Sequence, residues 1–184
     1  MVVPEVEELR EGAPEKVVLE NARRKAQAGL RQVGEGEGLV VLGVDTDVAL
    51  DGRLLGKAST EDEARARLET LSGRTHAVLS GVVFLGNGAL LADSARKAPA
   101  APENAAAVEE RSGVARSYVT FKRLDCATLT MYLNSGEWRD RAGAYAIQGL
   151  GAILVDELRG DFSNVVGLPL TLLLDLAPEL GKSL

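Results

Sequence analysis

The sequence predicts an α/β fold, on three features that recur along its length. Apolar runs of strand size alternate with amphipathic stretches of helix size, and glycine, proline or Asp-Gly marks the joins. At 184 residues the chain suits one domain, large enough to bury roughly two thirds of its unfolded surface. Apolar residues at 46% and charged residues at 26% form the ordinary globular mixture, which excludes a disordered or fibrous chain.

In chain order, Val18, Ala22, Ala26 and Leu30 predict a helix from Glu15 to Gln32, which Gly34 and the glycines after it end. Leu39 to Val44 is a continuous apolar run, long enough for a buried strand and too short for a helix. Asp51-Gly52 signals a hairpin turn. Thr60 and Glu63 have capping-box spacing ahead of a helix whose face is Ala64, Leu68 and Leu71, and Gly73 ends it. His76 to Leu85 reads as a strand, and the alanine-rich Gly86–Glu110 segment as a mobile surface loop. A strand at Arg116–Phe121 comes next, then a helix from Asp125 to near Gly136. Ala152–Leu158 reads as a strand, Gly160-Asp161 as a turn, and Leu170–Leu176 as a helix beginning at Pro169.

Several function classes drop out at this point. No apolar run approaches the ~18–20 residues that cross a bilayer, since Val165–Ala177 is broken by Gly167, Pro169 and Asp175. The start, MVVPEVEELREG, carries acids where a signal peptide places its apolar core. The single cysteine, Cys126, excludes an internal disulfide framework and fits a reducing cytoplasm. A net charge of −6 argues against broad nucleic-acid binding but leaves room for a small anionic ligand.

Three clusters carry possible chemistry. Asp45-Thr46-Asp47 closes the apolar strand, where α/β sheets usually place ligands. Extending the Asp51-Gly52 hairpin sets Lys57 opposite Thr46, with Asp45 and Asp47 on one face. Two carboxylates beside a lysine could hold a divalent metal, activate water and contact phosphate. The same spacing also suits an acidic turn with a surface lysine. In Ser72-Gly73-Arg74-Thr75-His76, Arg74 suits either a phosphate contact or a helix cap, and His76 either a base or a structural hydrogen bond. In Arg139–Gly149, Arg141 offers a bidentate phosphate ligand and Gln148 a donor and acceptor for a base edge, or else the stretch is a solvated glycine-rich connection. Lys25 sits on the basic face of the first helix, a placement common for solvated charge. Cys126 lacks a histidine or basic flank to activate it. No GxxxxGK[ST] or GxGxxG occurs.

Six ordered blocks carry a resemblance: NARRKA from Asn21, LGVDTDVALDGRLLGK from Leu42, LSGRTHAVLSGV from Leu71, YVTFKRL from Tyr118, AGAYAIQGLGA from Ala142 and GDFSNVVGLPL from Gly160. Together they resemble the Maf family of nucleotide pyrophosphatases, relatives in fold of the inosine-triphosphate pyrophosphatases. The resemblance implies a single domain over residues 1–184, a twisted mixed sheet flanked by helices, and a substrate cleft between two lobes. It implies hydrolysis of a nucleoside triphosphate to the monophosphate and pyrophosphate, with Asp45 as the proton acceptor and possible metal ligand. Thr46 and Gln148 match positions linked to substrate choice. Lys25 and Lys57 match lysines that touch phosphate or position the acid, with Arg74 and Arg141 as further phosphate contacts. A divalent metal, Mg²⁺ or Mn²⁺, and a homodimer are also implied. AIQGLGA and SNVVGLPL look like the dTTP/UTP branch.

Three departures accompany the match. MVVPEVEE resembles only the segment after the family's first strand, S-x-R-R turn and first helix, so these are expected to be absent. Arg141 stands where a lysine is usual, and the Gly86–Glu110 loop is longer than is common. Two other readings stay open: a catalytically impaired nucleotide-binding regulator of cell division, fed by the missing turn, and an inosine or xanthosine triphosphate pyrophosphatase. NARRKA also resembles that sister family, while GVDT and SGRTH weigh against it.

Overall fold

Pro14 stands at the first helical position, where its fixed φ is already helical and its missing N–H has no partner to lose, and helix α1 runs from Pro14 to Val33. The residues it buries are mostly small, Ala22, Ala26 and Ala28 among them, so it can lie close on a sheet. Strand β1 (Val40–Leu50) turns through Asp51-Gly52 into the short β2 (Arg53–Leu54). Both turn residues take positive φ, as an Asp-Gly hairpin requires. Helix α2 (Glu61–Leu71) is capped by Thr60, whose hydroxyl accepts from Glu63 N at 3.2 Å, while Glu63 Oε2 reaches back to accept from Ser59 N at 2.8 Å. After these come β3 (Thr75–Asn87), β4 (Val108–Phe121), α3 (Cys126–Ser135), a 3₁₀ helix (Gly149–Leu154), β5 (Val155–Arg159), α4 (Phe162–Val166), α5 (Leu170–Leu176) and a second 3₁₀ helix (Pro178–Lys182). The computed structural model describes residues 6–34, 39–87 and 108–182.

The described strands form one sheet in the order β2-β1-β3-β4-β5, and every ladder in it is antiparallel. The α/β class holds, with an antiparallel sheet where a mixed one was expected. Alternation sorts the core onto two faces. On one, Val48, Val78, Val119 and Phe121 pack against Leu68 and Leu71 of α2, Leu129, Tyr132 and Leu133 of α3, and Trp138 and Tyr145. On the other, Val83 and Leu85 of β3 meet Ala22 and Ala26 of α1.

The boundaries differ from expectation in informative places. β1 does not stop at Val44, because its ladder with β3 runs on to Ala49 and carries Asp45, Thr46 and Asp47 in mid-strand. The hairpin register is as expected at Ala49↔Leu54 and Leu50↔Arg53, but pairing ends after Leu55 N donates to Val48 O at 2.9 Å. Lys57 therefore does not oppose Thr46, and it bridges Ala142 instead. Gly86 and Asn87 belong to β3, and Val108 to Glu110 to β4, not to a loop. The partly exposed N-terminal half of β4 pairs only with β3, so it shows no apolar alternation for a reader to see. Residues 88–107 of the expected loop lie outside the described residues. Ala152–Leu154 is 3₁₀ helix, not strand, and α4 comes after the Gly160-Asp161 turn unheralded, at five residues too short to show a helical period.

Candidate active site

The site begins with two glycines. A Cβ at Gly43 would sit 2.2 Å from Ala22 O, and one at Gly81 would sit 2.3 Å from Val18 O, so only glycine lets α1 approach the sheet this closely. Gly81 is also the ladder partner of Asp45. The close approach sets α1 over Asp45, which is 9% exposed. Lys25 Nζ donates to Asp45 Oδ1 at 2.6 Å, and Asn21 Nδ2 to Asp45 Oδ2 at 3.1 Å.

Asn21 does a second job. Its Oδ1 accepts from Leu9 N at 2.7 Å and its amide donates to Leu9 O at 3.0 Å, pinning the preceding segment to α1. That clamp presents Glu8, whose Oε1 lies 2.7 Å from Lys25 Nζ. Burial alone would lower the Lys25 ammonium pKa, but the Asp45 and Glu8 carboxylates outweigh it and leave the pKa raised. Burial alone would raise the Glu8 carboxyl, and Lys25 reverses this, so its pKa is lowered. Lys25 is a charged bridge between two acids, not a solvated surface lysine.

Successive strand residues face opposite ways, so Asp45 faces α1 and Thr46 the other side. Thr46 Oγ1 lies 2.7 Å from Ser80 Oγ, its ladder partner. Both still reach a common space, because among the described residues no strand covers the outer edge of β1 beyond the short β2. A cavity of about 260 Å³ there is lined by Lys25, Asp45, Thr46, Lys57, Arg141 and Gln148, with Tyr145 and Val165 to Gly167. An adjoining one of about 300 Å³ shares Asp45, Thr46 and Lys57 and adds Glu8, Asn21, Asp47 and Arg67. Lys57 is aimed by its neighbour: Gly56 N donates to Asp47 Oδ1 at 3.0 Å, and Gly56 O accepts from Arg67 Nη1 at 2.8 Å and Gly143 N at 2.9 Å. Burial pushes the Asp47 carboxyl up to about 6 despite those backbone donors.

The structure thus gathers six of the seven expected residues and leaves one out. Arg74 lines neither cavity and pairs with Asp51 of the hairpin turn at 2.7 Å. It directly precedes β3, at the end where β1 makes its turn, and that position forces the separation. His76 is a core residue. It is 2% exposed, bonds Tyr145 Oη through Nε2 at 2.8 Å and stacks edge-on to Phe121 and Tyr145, and burial pushes its pKa down to about 4. Cys126 is exposed at the start of α3.

Sequence reading passed over Glu8, Asn21 and the Val165–Gly167 wall. Glu8 sits in a run of acids, and only the Asn21 clamp decides which one turns inward. Asn21 lies one turn before Lys25, a spacing that was a usable signal. Among the described residues no three His, Cys, Asp or Glu side chains are grouped to hold a metal, and no helix is long and apolar enough to cross a membrane.

Comparison with known proteins places the chain in a family. The family described as Maf-like protein matches residues 1–180. A Thermococcus gammatolerans protein named dTTP/UTP pyrophosphatase is 39% identical over 181 residues, 98% of this chain and 84% of the relative. Proteins of the same name from Deinococcus radiodurans (39% identical, 100% of this chain and 82% of the relative) and Dictyoglomus thermophilum (37%, 100% and 86%) match as fully. With the family matched over residues 1–180 and relatives of 37–39% identity covered to more than four fifths of their length, the chain belongs to the Maf family.

Proposed function

We propose that this chain hydrolyses dTTP, UTP and related nucleoside triphosphates to the monophosphate and pyrophosphate. The observation that carries the reading is the cavity itself: one acid, three cations and one amide from three distant stretches of the chain converge at Asp45, Lys25, Lys57, Arg141 and Gln148. The relatives named dTTP/UTP pyrophosphatase support the substrate class.

In this reading Asp45 takes the proton of the attacking water. Asn21 and Lys25 fix its orientation through one bond to each oxygen, and a carboxylate has about four lone-pair sites, so each oxygen keeps one free. Lys57 and Arg141 neutralise charge that grows on the phosphates and the pyrophosphate leaving group, in a site already shaped for it. Gln148 offers the base a donor and an acceptor, and Thr46 supplies a hydroxyl beside it. A divalent cation, Mg²⁺ or Mn²⁺, would be held by the Asp45 carboxylate and take its remaining ligands from water and phosphate, as such ions do with one or two protein carboxylates. Such an ion, when bound, lowers the pKa of water and screens phosphate charge.

The reading extends to a homodimeric, cytoplasmic enzyme that does not bind nucleic acid. Exposed Phe162, Leu170 and Leu174 suit a partner surface, the exposed free Cys126 suits a reducing compartment, and the net charge of −6 opposes polyanion binding. A pyrophosphate-release panel with Mg²⁺ across dTTP, UTP, ITP and 7-methyl-GTP tests it. Turnover of dTTP and UTP ahead of the other two is the expected result. Turnover confined to ITP would move the chain to the sister specificity, and silence on all four would overturn the reading.

A further inference from the structure

Behind Thr46 lies a set of buried polar side chains that the hydrolytic chemistry does not use. Ser80, Ser117 and Asn164 are fully buried, each at 0% exposure. Thr46 Oγ1 lies 2.7 Å from Ser80 Oγ and donates to Gly167 O at 3.4 Å, and Ser80 Oγ reaches Asn164 O at 3.4 Å. Asn164 donates from Nδ2 to Val78 O and to Ser117 Oγ, both at 3.0 Å. Val78 and Ser117 are ladder partners, so this single amide spans β3 and β4. Ser117 Oγ in turn donates to Asp161 O at 2.9 Å, at the N-cap of α4.

The net effect is mechanical. α4 has five residues and exposes Phe162 and Val166, so little apolar burial holds it down. Asn164 ties it to the sheet, and the turn that ends it, Val165 to Gly167, forms the cavity wall on the side where Thr46 faces. Asn164 Oδ1 is buried without a partner among the described residues.

The structure assigns Asn164 as a positioning residue for nucleobase selection: it fixes the Val165–Gly167 wall and, through Ser80, the Thr46 hydroxyl, so that the base meets Gln148 in one pose. This inference rests on the pyrophosphatase reading. It differs from a general stabilising role in what it predicts. Loosening the wall changes how a base is held and leaves the Asp45 side, on the opposite face of β1, in place. A small displacement of a binding wall costs substrates unequally, whereas a loss of folded protein costs them all alike.

The test is steady-state kinetics of the full chain and of Asn164→Ala with UTP and ITP, corrected for folded fraction by circular dichroism. The expected result is a KM for UTP raised by roughly ten- to a hundredfold, kcat changed by only about two- to threefold, and a UTP-to-ITP ratio of kcat/KM reduced by about tenfold. Ser80→Ala keeps the Asn164 clamp and cuts only the link to Thr46; it is expected to move KM and the ratio the same way by a smaller factor. If Asn164→Ala does not fold, Ser80→Ala decides by the same measure. A folded variant with unchanged KM and unchanged ratio overturns the inference and leaves the hydrolase reading standing. A wild-type protein silent on every triphosphate overturns the hydrolase reading and this inference with it.

Discussion

Asp45 and Asp47 are two residues apart, share one strand face and occupy different chemical settings. Asp45 is bound by the Lys25 ammonium and the Asn21 amide. Asp47 accepts only backbone N–H groups, from Val48 at 2.7 Å and Gly56 at 3.0 Å, and burial, aided by the charge of Asp45, raises its pKa from 3.8 to about 6. A folded-state pKa above the unfolded one means that the native state holds the extra proton between those values. The stability contributed by Asp47 is therefore whole below about pH 4 and is lost as pH rises through about 6, an effect on the order of 2–3 kcal/mol. Asp47→Asn removes that loss, and thermal melts from pH 4 to 7 are expected to show the variant gaining on wild type as pH rises; parallel curves would refute the assignment. His76 runs the other way. Burial lowers its pKa from 6.5 to about 4, so its contribution is whole above pH 6.5 and is lost as pH falls through about 4. His76→Gln is expected to flatten the acid limb of the same melts. Gln148→Ala, which touches neither acid, should raise KM for dTTP by roughly tenfold and leave the melts unchanged.

The decisive contact between elements is α1 against β1 and β3. Gly43 and Gly81 admit the helix backbone, and the helix then delivers Asn21 and Lys25 to Asp45 as a pair. Gly43→Ala is expected to cost about 1–3 kcal/mol through overpacking, and to cost more in turnover than in stability, because the helix can yield only by carrying both donors off the acid. Melts and pyrophosphate release measured together check this; equal, small losses in both would mean that α1 does not position the site. The glycines were visible in the sequence and their role was not, since a glycine in a strand marks a bulge or a close approach without saying which. Other elements divide along the same line. α2 and α3 were legible because their capping residues, Thr60 and Asp125, are local signals, and α1 and α5 because their apolar residues and the Gly34 and Pro169 at their ends are. The exit of Lys57 from the hairpin was not, because contacts to Asp47, Arg67 and Gly143 decide it, and these are tertiary.

Across the whole molecule, blocks spread from Asn21 to Gly167 meet around one edge of one strand. The blocks were readable and so was the family, which the match over residues 1–180 bears out. Their meeting point was readable only in part. The expected pairing of Lys57 with Thr46 pointed to the right neighbourhood by the wrong contact, and Arg74 was drawn in by the resemblance of its LSGRTHAVLSGV block while its side chain serves the far turn. The absence of a covering strand beyond β2 among the described residues explains why Asp45 on one face of β1 and Thr46 on the other share a space. Pyrophosphate release from dTTP with Mg²⁺, compared between wild type and Asp45→Asn at matched melting behaviour, is the most direct measurement of this arrangement. A loss on the order of a hundred- to ten-thousandfold in the variant is the predicted result; turnover within a few-fold of wild type would contradict it.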